Sequence, residues 1–476
     1  MSHGDAATAR AGARSGPAPL AVIDVVGLTP ALLDSGRMPR LAALARDGFR
    51  AELGTVLPAV TCSAQSTLLT GRLPREHGIV GNGWYFRDLG EVWLWRQSNR
   101  LVAGEKLWEA ARRRLAPAPV RCANLFWWYA MYSSADVTVT PRPTYLSDGR
   151  KLPGIYTRPP DLKHALEEAL GPFPLFQFWG PGAGLASSAW IAAAARRVFD
   201  AQRPALTLVY LPHLDYDLQR HGPAGPEALA AAAEVDGVAG ELCDHLRAAG
   251  ATVVVLSEYG LTAADRAVHP NRRLREAGLL EVADTPGGEL LDAGASRAFA
   301  VADHQVAHVY VNDPADLPAA RAALADLSGV AEVLDDASGA KGAAGLDHPR
   351  AGDLVLVAAP GAWFTYYYWL DDARAPDFAR TVEIHRKPGY DPAELLFDGP
   401  LAKARAAARL LQKTLGFRYV MDVVPLDASA VRGTHGRLPA APRDGPVLLC
   451  SRAVPAVARP RFAATEVFDF LLALLS

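Results

Sequence analysis

Short, unbroken apolar runs punctuate the chain at residues 20–26, 206–211 and 252–256, with 307–311 and 354–357 as two further candidates. They are rich in Val, Leu and Ile and lack the alternation of a half-solvated strand. They therefore predict strands buried on both faces, as in a parallel sheet covered by helices. Between them lie stretches with helical spacing at 187–201, 226–249 and 402–414. Strand alternating with helix predicts an α/β fold, a doubly wound and mostly parallel sheet sandwiched by helices. Two stretches break the rhythm. Residues 123–184 and 360–400 are rich in aromatic residues and proline, and they read as insertions that cap or flank the sheet. Residues 1–17, rich in Ala, Arg, Gly and Pro, predict a disordered N-terminus and leave 18–476 as the α/β domain.

Composition narrows the possible partners. The 476 residues suffice for one large domain with insertions. Forty-nine Lys and Arg balance 51 Asp and Glu, so no global basic excess exists to hold a nucleic-acid backbone. The four cysteines (Cys62, Cys122, Cys243, Cys450) are scattered without metal-finger spacing, which argues against a disulfide scaffold. No apolar run approaches the roughly 20 residues that span a bilayer, and no secretory signal is visible. The expectation is a cytoplasmic protein with neither a membrane nor a nucleic-acid partner.

In an open α/β sheet, ligands sit beyond the carboxyl ends of the strands. Several strand ends here carry polar residues of uncommon type. Asp24 interrupts the first apolar run, and a carboxylate there is costly unless it is paired or metal-bound; a capping Asp is the plainer alternative. Thr61 precedes a helical stretch that stops at Thr70-Gly71. A hydroxyl at a helix start is well placed as a nucleophile, and equally well placed as a simple cap. The third run leads into His213-Leu214-Asp215-Tyr216-Asp217-Leu218-Gln219-Arg220-His221-Gly222-Pro223. Its carboxylate and imidazole groups suggest a metal-ligand cluster, or a polar loop. The fourth ends in Ser257-Glu258-Tyr259-Gly260, and a late Gly433-Thr434-His435-Gly436 sets an imidazole between glycines.

The order of these motifs resembles the alkaline phosphatase superfamily, and within it the type I phosphodiesterase/nucleotide pyrophosphatase group. The matching residues are Asp24, Thr61, Thr70-Gly71, Pro74-Arg75-Glu76-His77-Gly78-Ile79, the stretch 215–223, Ser257–Gly260 and Gly433–Gly436. The resemblance implies a Thr61 nucleophile and one or two divalent metal ions, usually zinc. Asp24, Thr61 and Glu258 would serve the ion beside the nucleophile, and Asp215 and His435 the second. It also implies a small phosphorylated metabolite as substrate.

Departures from the family pattern are chemically specific. Anchored on Gly222-Pro223, the family's Asp and His fall on Asp215 and Gln219; anchored on i, i+4 spacing alone, they fall on Asp217 and His221. The family's Asp-His is Glu258-Tyr259 here, and its phosphate-binding Asn is Ala64, for which Gln65 is a substitute. Oxygen donors suit Mn or Mg better than Zn. His304 and His269 are outside candidates for a nitrogen ligand. Asn82, Arg142 and Lys151, with Arg150 and the run His385-Arg386-Lys387, are candidates for the substrate pocket. The sulfatase pattern fails because Ser66 stands where an Arg is required after Cys62. A catalytically silent or repurposed binding protein, and a phosphomutase or phosphonate-cleaving enzyme on the same scaffold, are the rival expectations.

Overall fold

The computed structural model describes residues 18–147 and 150–476; the expected disordered segment 1–17 lies outside them. The strands used below are β1 (Leu20–Val25), β2 (Phe49–Leu53), β3 (Cys122–Leu125), β4 (Val137–Pro141), β5 (Ile155–Arg158), β6 (Leu206–Leu211), β7 (Thr252–Leu256), β8 (Ala298–Asp303), β9 (Val306–Val311), β10 (Val330–Leu334), β11 (Leu354–Ala358), β12 (Val447–Cys450) and β13 (Arg461–Phe462). The helices are α1 (Thr61–Thr70), α2 (Leu185–Gln202), α3 (His213–His221), α4 (Pro226–Ala248) and α5 (Ala402–Thr414).

Nine strands form the main sheet in the order β13-β2-β12-β7-β1-β6-β3-β4-β5. Its centre, β7-β1-β6-β3-β4, is parallel throughout. Antiparallel strands β12 and β5 close the two sides of that block. Every residue of β1, β6 and β7 is buried, which explains their unbroken apolar runs. Asp24 sits opposite Tyr210 of β6 and Leu256 of β7. The carboxyl ends of three adjacent parallel strands therefore meet where Asp24, the start of α3, and Ser257-Glu258-Tyr259 lie.

Two predicted strands belong elsewhere. The runs at 307–311 and 354–357 are β9 and β11 of a separate four-stranded antiparallel sheet, ordered β8-β9-β11-β10. An apolar run reports burial on both faces but not the direction of its neighbours. What sets the direction here is the two-residue turn His304-Gln305 that joins β8 to β9 with Asp303 paired to Val306. His304 takes a φ of 57°, the left-handed conformation that a tight hairpin turn calls for.

The stretch 123–184 supplies most of β3 and all of β4 and β5 to the main sheet as well as aromatic cover. In the stretch 360–400, Trp363, Tyr366, Tyr367, Tyr368 and Trp369 are all buried against the second sheet.

Candidate active site

The spacing from Thr61 to Thr70-Gly71 is the length of one helix. Thr61 is the first residue of α1, and Gly71 ends it at a φ of 67°, a C-terminal stop that glycine makes without strain. All ten residues of α1 are buried. The backbone N–H of Cys62 donates to Asn82 Oδ1 at 3.0 Å. Asn82 in turn donates from its backbone N and its Nδ2 to the two oxygens of Asp303, at 2.8 and 3.1 Å. His77 of the Pro-x-x-His-Gly segment lies 3.0 Å from Thr67 Oγ1 and accepts from the Ile79 N–H, so it braces α1 rather than entering the site.

Thr61 Oγ1 lies 3.1 Å from Tyr259 Oη. Two buried carboxyls, Asp24 and Glu258, flank this pair. Asp24 Oδ2 accepts from Gln65 Nε2 at 3.3 Å, and Gln65 Oε1 is fixed by the Trp128 N–H at 2.8 Å. Asp24 Oδ1 and both Glu258 oxygens have no hydrogen-bond partner. Burial pushes Asp24 up to about 7 and Glu258 well above the usual carboxylate range; their mutual repulsion adds to the Glu258 shift. Burial likewise keeps the Tyr259 phenol protonated.

On the far side, α3 brings Asp215 in on its first turn. Gln219, one turn later, donates to Asp215 Oδ2 at 2.7 Å and accepts from Tyr390 Oη at 3.1 Å. Asp215 Oδ1 is left without a partner, and burial pushes this carboxyl to about 7. Asp217 and His221 do not join them. Two residues are about 200° of helix rotation, so this pair faces away: Asp217 holds Arg220 at 2.9 Å, and His221 is partly exposed beside Glu227. The pair that the Gly-Pro anchor picks is therefore the one the fold brings to the cavity, with Asp215 in its wall and Gln219 bonded behind it, whereas Asp217 and His221 lie outside it.

His435 Nδ1 lies 2.7 Å from the Ala59 carbonyl, so it carries the proton and leaves Nε2 as an acceptor. Its ring stacks on Tyr259 at 3.7 Å and meets His304 at 3.6 Å; His304 in turn lies 3.8 Å from Tyr390. Four rings thus run in a column from Tyr259 to Tyr390. Burial pushes His435 down to about 3 and His304 well below its ordinary value, so both are neutral at pH 7. His269 is not part of this group; it bonds Thr365 at 2.7 Å and stacks on Tyr367.

A cavity of about 520 Å³ opens over these residues, with Thr61, Asn82, Asp215, Tyr259, His304 and His435 in its wall. Asp24, Glu258, Gln65 and Gln219 are buried and are not part of the wall. The outer wall is largely aromatic, built from Trp95, Trp128, Trp179 and Tyr390, whose rings lie 4.7 to 6.1 Å apart. Lys151 and His385 reach it. Arg142 does not: it lies against Met131 Sδ and Tyr132 Oη. Arg386 and Lys387 are also spent elsewhere, on Asp377, and on Asp391 and Glu394. Sequence reasoning missed Asp303, Tyr390, Trp95 and Trp179 as site residues. Asp303 carries the signal that marked Asp24, a carboxylate ending an apolar strand.

Among the described residues, no three His, Cys, Asp or Glu side chains converge as a metal cage. The Asp215 side offers one oxygen of Asp215, the other being bonded to Gln219, and the unprotonated Nε2 of His435, two donors where a protein zinc site supplies three or four, so it does not fit a second tightly held zinc. The Thr61 side offers Asp24, Glu258 and the Thr61 hydroxyl, all oxygen donors, with three carboxylate oxygens lacking partners. That set fits a single hard divalent cation.

Comparison with known proteins agrees with the motif order. The family sequence model for type I phosphodiesterase / nucleotide pyrophosphatase matches residues 20–391. An uncharacterized pyrophosphatase/phosphodiesterase of Schizosaccharomyces pombe is 26% identical over 251 residues, 50% of this chain and 44% of that protein. The chain thus spans under half the length of that curated relative. Phosphonoacetate hydrolase from Sinorhizobium meliloti 1021, solved with phosphonoformate, superposes with a TM-score of 0.60 at 17% identity, covering 97% of this chain and 96% of that one. Murine ectonucleotide pyrophosphatase/phosphodiesterase 5 gives a TM-score of 0.58 at 15% identity, covering 96% and 95%. At these identities the two structures establish the fold. With the family match running from the first strand through the second aromatic region, the chain belongs to the type I phosphodiesterase/nucleotide pyrophosphatase family of the alkaline phosphatase superfamily.

Proposed function

We propose that this chain hydrolyses a small phosphoester with an apolar or aromatic substituent, with Thr61 as nucleophile and one hard divalent cation held by Asp24, Glu258 and Thr61. The observation that carries this reading is the position of Thr61. It starts a buried helix, faces a 520 Å³ cavity, and stands beside three carboxylate oxygens without partners. Burial favours protons on both carboxyls, and a divalent cation is the partner that would displace those protons and let a phosphate stand beside them. Bound there, a divalent ion supplies Lewis-acid stabilisation of the hydroxyl's charge and of the phosphate.

The residues of the chain do the rest. Thr61 Oγ1 gives up its proton to water and forms the bond to phosphorus; the bond from phosphorus to the leaving oxygen breaks, and that oxygen takes up a proton from water and departs as the alcohol. Tyr259, protonated and 3.1 Å away, donates to Thr61 Oγ1 and stabilises negative charge there. Water then cleaves the phosphothreonine, releasing phosphate or a phosphomonoester and restoring Thr61. Asn82, locked by Asp303 and by the Cys62 N–H, fixes the start of α1. The aromatic wall receives the substituent. The solved neighbours hold small phosphorus-containing ligands, phosphonoformate, phosphonoacetate and AMP, of which AMP is a phosphoester carrying an aromatic base.

A generic chromogenic phosphodiester, bis-p-nitrophenyl phosphate, tests the reading. Turnover with Mn²⁺ or Mg²⁺ is expected, and Thr61→Ala should remove at least about a thousandfold of it without changing the far-UV spectrum. Turnover equal in wild type and Thr61→Ala would remove Thr61 from the role. Absence of turnover with any divalent metal would favour the binding-protein reading, which the Gln219–Asp215 and Gln219–Tyr390 bonds motivate.

A further inference from the structure

Helix α5 and the loop after it do not behave like the rest of the molecule. Of the thirteen residues of α5, only Ala402 is buried. Two ion pairs tie the helix down, Arg405 to Asp398 at 2.8 Å and Arg409 to Asp422 at 2.9 Å. Around it, large apolar side chains stand in solvent: Leu401 (76% exposed), Leu411 (60%), Leu415 (63%) and Phe417 (66%), with Leu410 and Val420 about half exposed. A soluble surface scatters such residues singly; their concentration within twenty positions marks an interaction face.

Charge says what kind of face it is. Residues 401–420 hold five cations (Lys403, Arg405, Arg409, Lys413, Arg418) and no Asp or Glu. Among the described residues, Lys403, Lys413 and Arg418 form no ion pair. Exposed aliphatic groups interleaved with cations suit a surface that is apolar and anionic at once, which is the headgroup boundary of an acidic bilayer. A second copy of the chain is a poor match, because a symmetric interface would bring the same cations together. No helix among the described residues is long and apolar enough to cross a membrane, so contact of this kind is peripheral.

The same helix borders the cavity. Ala406, Leu410 and Lys413 follow i, i+4, i+7 spacing on α5 and line its wall, as do Tyr419 and Met421 just beyond. One stripe of α5 therefore closes the cavity while its neighbouring stripe, Leu411 and Leu415, is left uncovered. We infer that residues 401–420 seat on an anionic lipid surface and set the cavity mouth at that surface, where an amphiphilic phosphoester partitions. This departs from the sequence expectation of no membrane partner.

Flotation of the full chain with phosphatidylcholine vesicles, and with vesicles of phosphatidylcholine plus phosphatidylglycerol, tests it. Binding to the mixed vesicles is expected, and it should weaken as salt rises. The double substitution L411S/F417S touches no cavity-lining residue and should lower binding at least about tenfold. The pair K403E/R418E should lower it as well, which keeps the test independent of any one substitution's effect on folding. Neither pair should change turnover of the soluble chromogenic ester. No binding to the anionic vesicles, or equal binding by wild type and both variants, would overturn the inference. So would a dimer in sedimentation that L411S/F417S dissolves, since the face would then be covered by a second copy. Vesicle binding needs no turnover. Thr61→Ala is expected to bind like the wild type, so failure here is separable from failure of the Thr61 reading.

Discussion

On the Thr61 side of the site, Asp24 and Glu258 keep three carboxylate oxygens without hydrogen-bond partners. On the Asp215 side, the protein has supplied partners of its own: Gln219 occupies one oxygen of Asp215, and Tyr390 occupies Gln219. The resemblance implies a cation on each side. Replacing an imidazole by an amide changes this, because the amide donates to the carboxylate where an imidazole nitrogen would accept a metal. Replacing a second imidazole by Tyr259 puts a neutral phenol beside Thr61. The two sides now differ in kind. One is a set of oxygens arranged for a hard cation; on the other a hydrogen-bond chain takes one oxygen of Asp215 and leaves only its second oxygen and His435 Nε2 free.

Substitution on each side in turn separates their roles. Glu258→Gln keeps the shape of the Thr61 side but removes a charge, and should cost about a hundredfold or more in kcat/KM. Gln219→Ala on the other side should cost about tenfold at most, since it frees Asp215 and Tyr390 without touching Thr61. Equal losses would mean that both sides carry chemistry. The double variant Q219H/Y259H restores two nitrogen donors, one on each side. Zinc affinity should rise by about tenfold or more in calorimetry, with little change for Mg²⁺. No gain would mean that neither position faces the ion of its own side.

The smallest effect is on stability. Burial raises Asp24 to about 7 in the folded chain from about 4 when unfolded. Between those values the folded state binds the proton and the unfolded state does not, so stability falls as pH rises through that window. Removing the carboxyl removes this cost. In the presence of a chelator, Asp24→Asn should raise Tm by a few degrees at pH 7.5 and by less at pH 5. A larger gain at pH 5 than at pH 7.5 would reverse the sign and contradict the burial argument.

Much of the Thr61 side was legible in the chain because its signals are local. Asp24 interrupts an apolar strand, and Thr61 and Gly71 are the start and stop of one helix. The distance to Gly222-Pro223 picked Asp215 and Gln219, the pair that the fold brings to the cavity, whereas helical spacing alone pointed to Asp217 and His221. The rest depends on long-range placement. Asp303 meets Asn82 across 221 residues of sequence. His304 arrives through a hairpin turn of the second sheet, whose strands the apolar pattern assigned to the first. Tyr390 comes from an irregular segment, where neither strand nor helix period marks which way a side chain faces. The uncovered face of α5 was present in the composition of 402–414, yet its exposure appears only once the helix is seen to bury a single residue.

A calorimetric metal titration of the stripped protein with Mn²⁺ and with Zn²⁺ decides whether one hard cation sits on the Thr61 side. One Mn²⁺ per chain is expected, lost in Asp24→Ala and retained in Asp215→Ala. Two equivalents of zinc, lost alike in both variants, would contradict it.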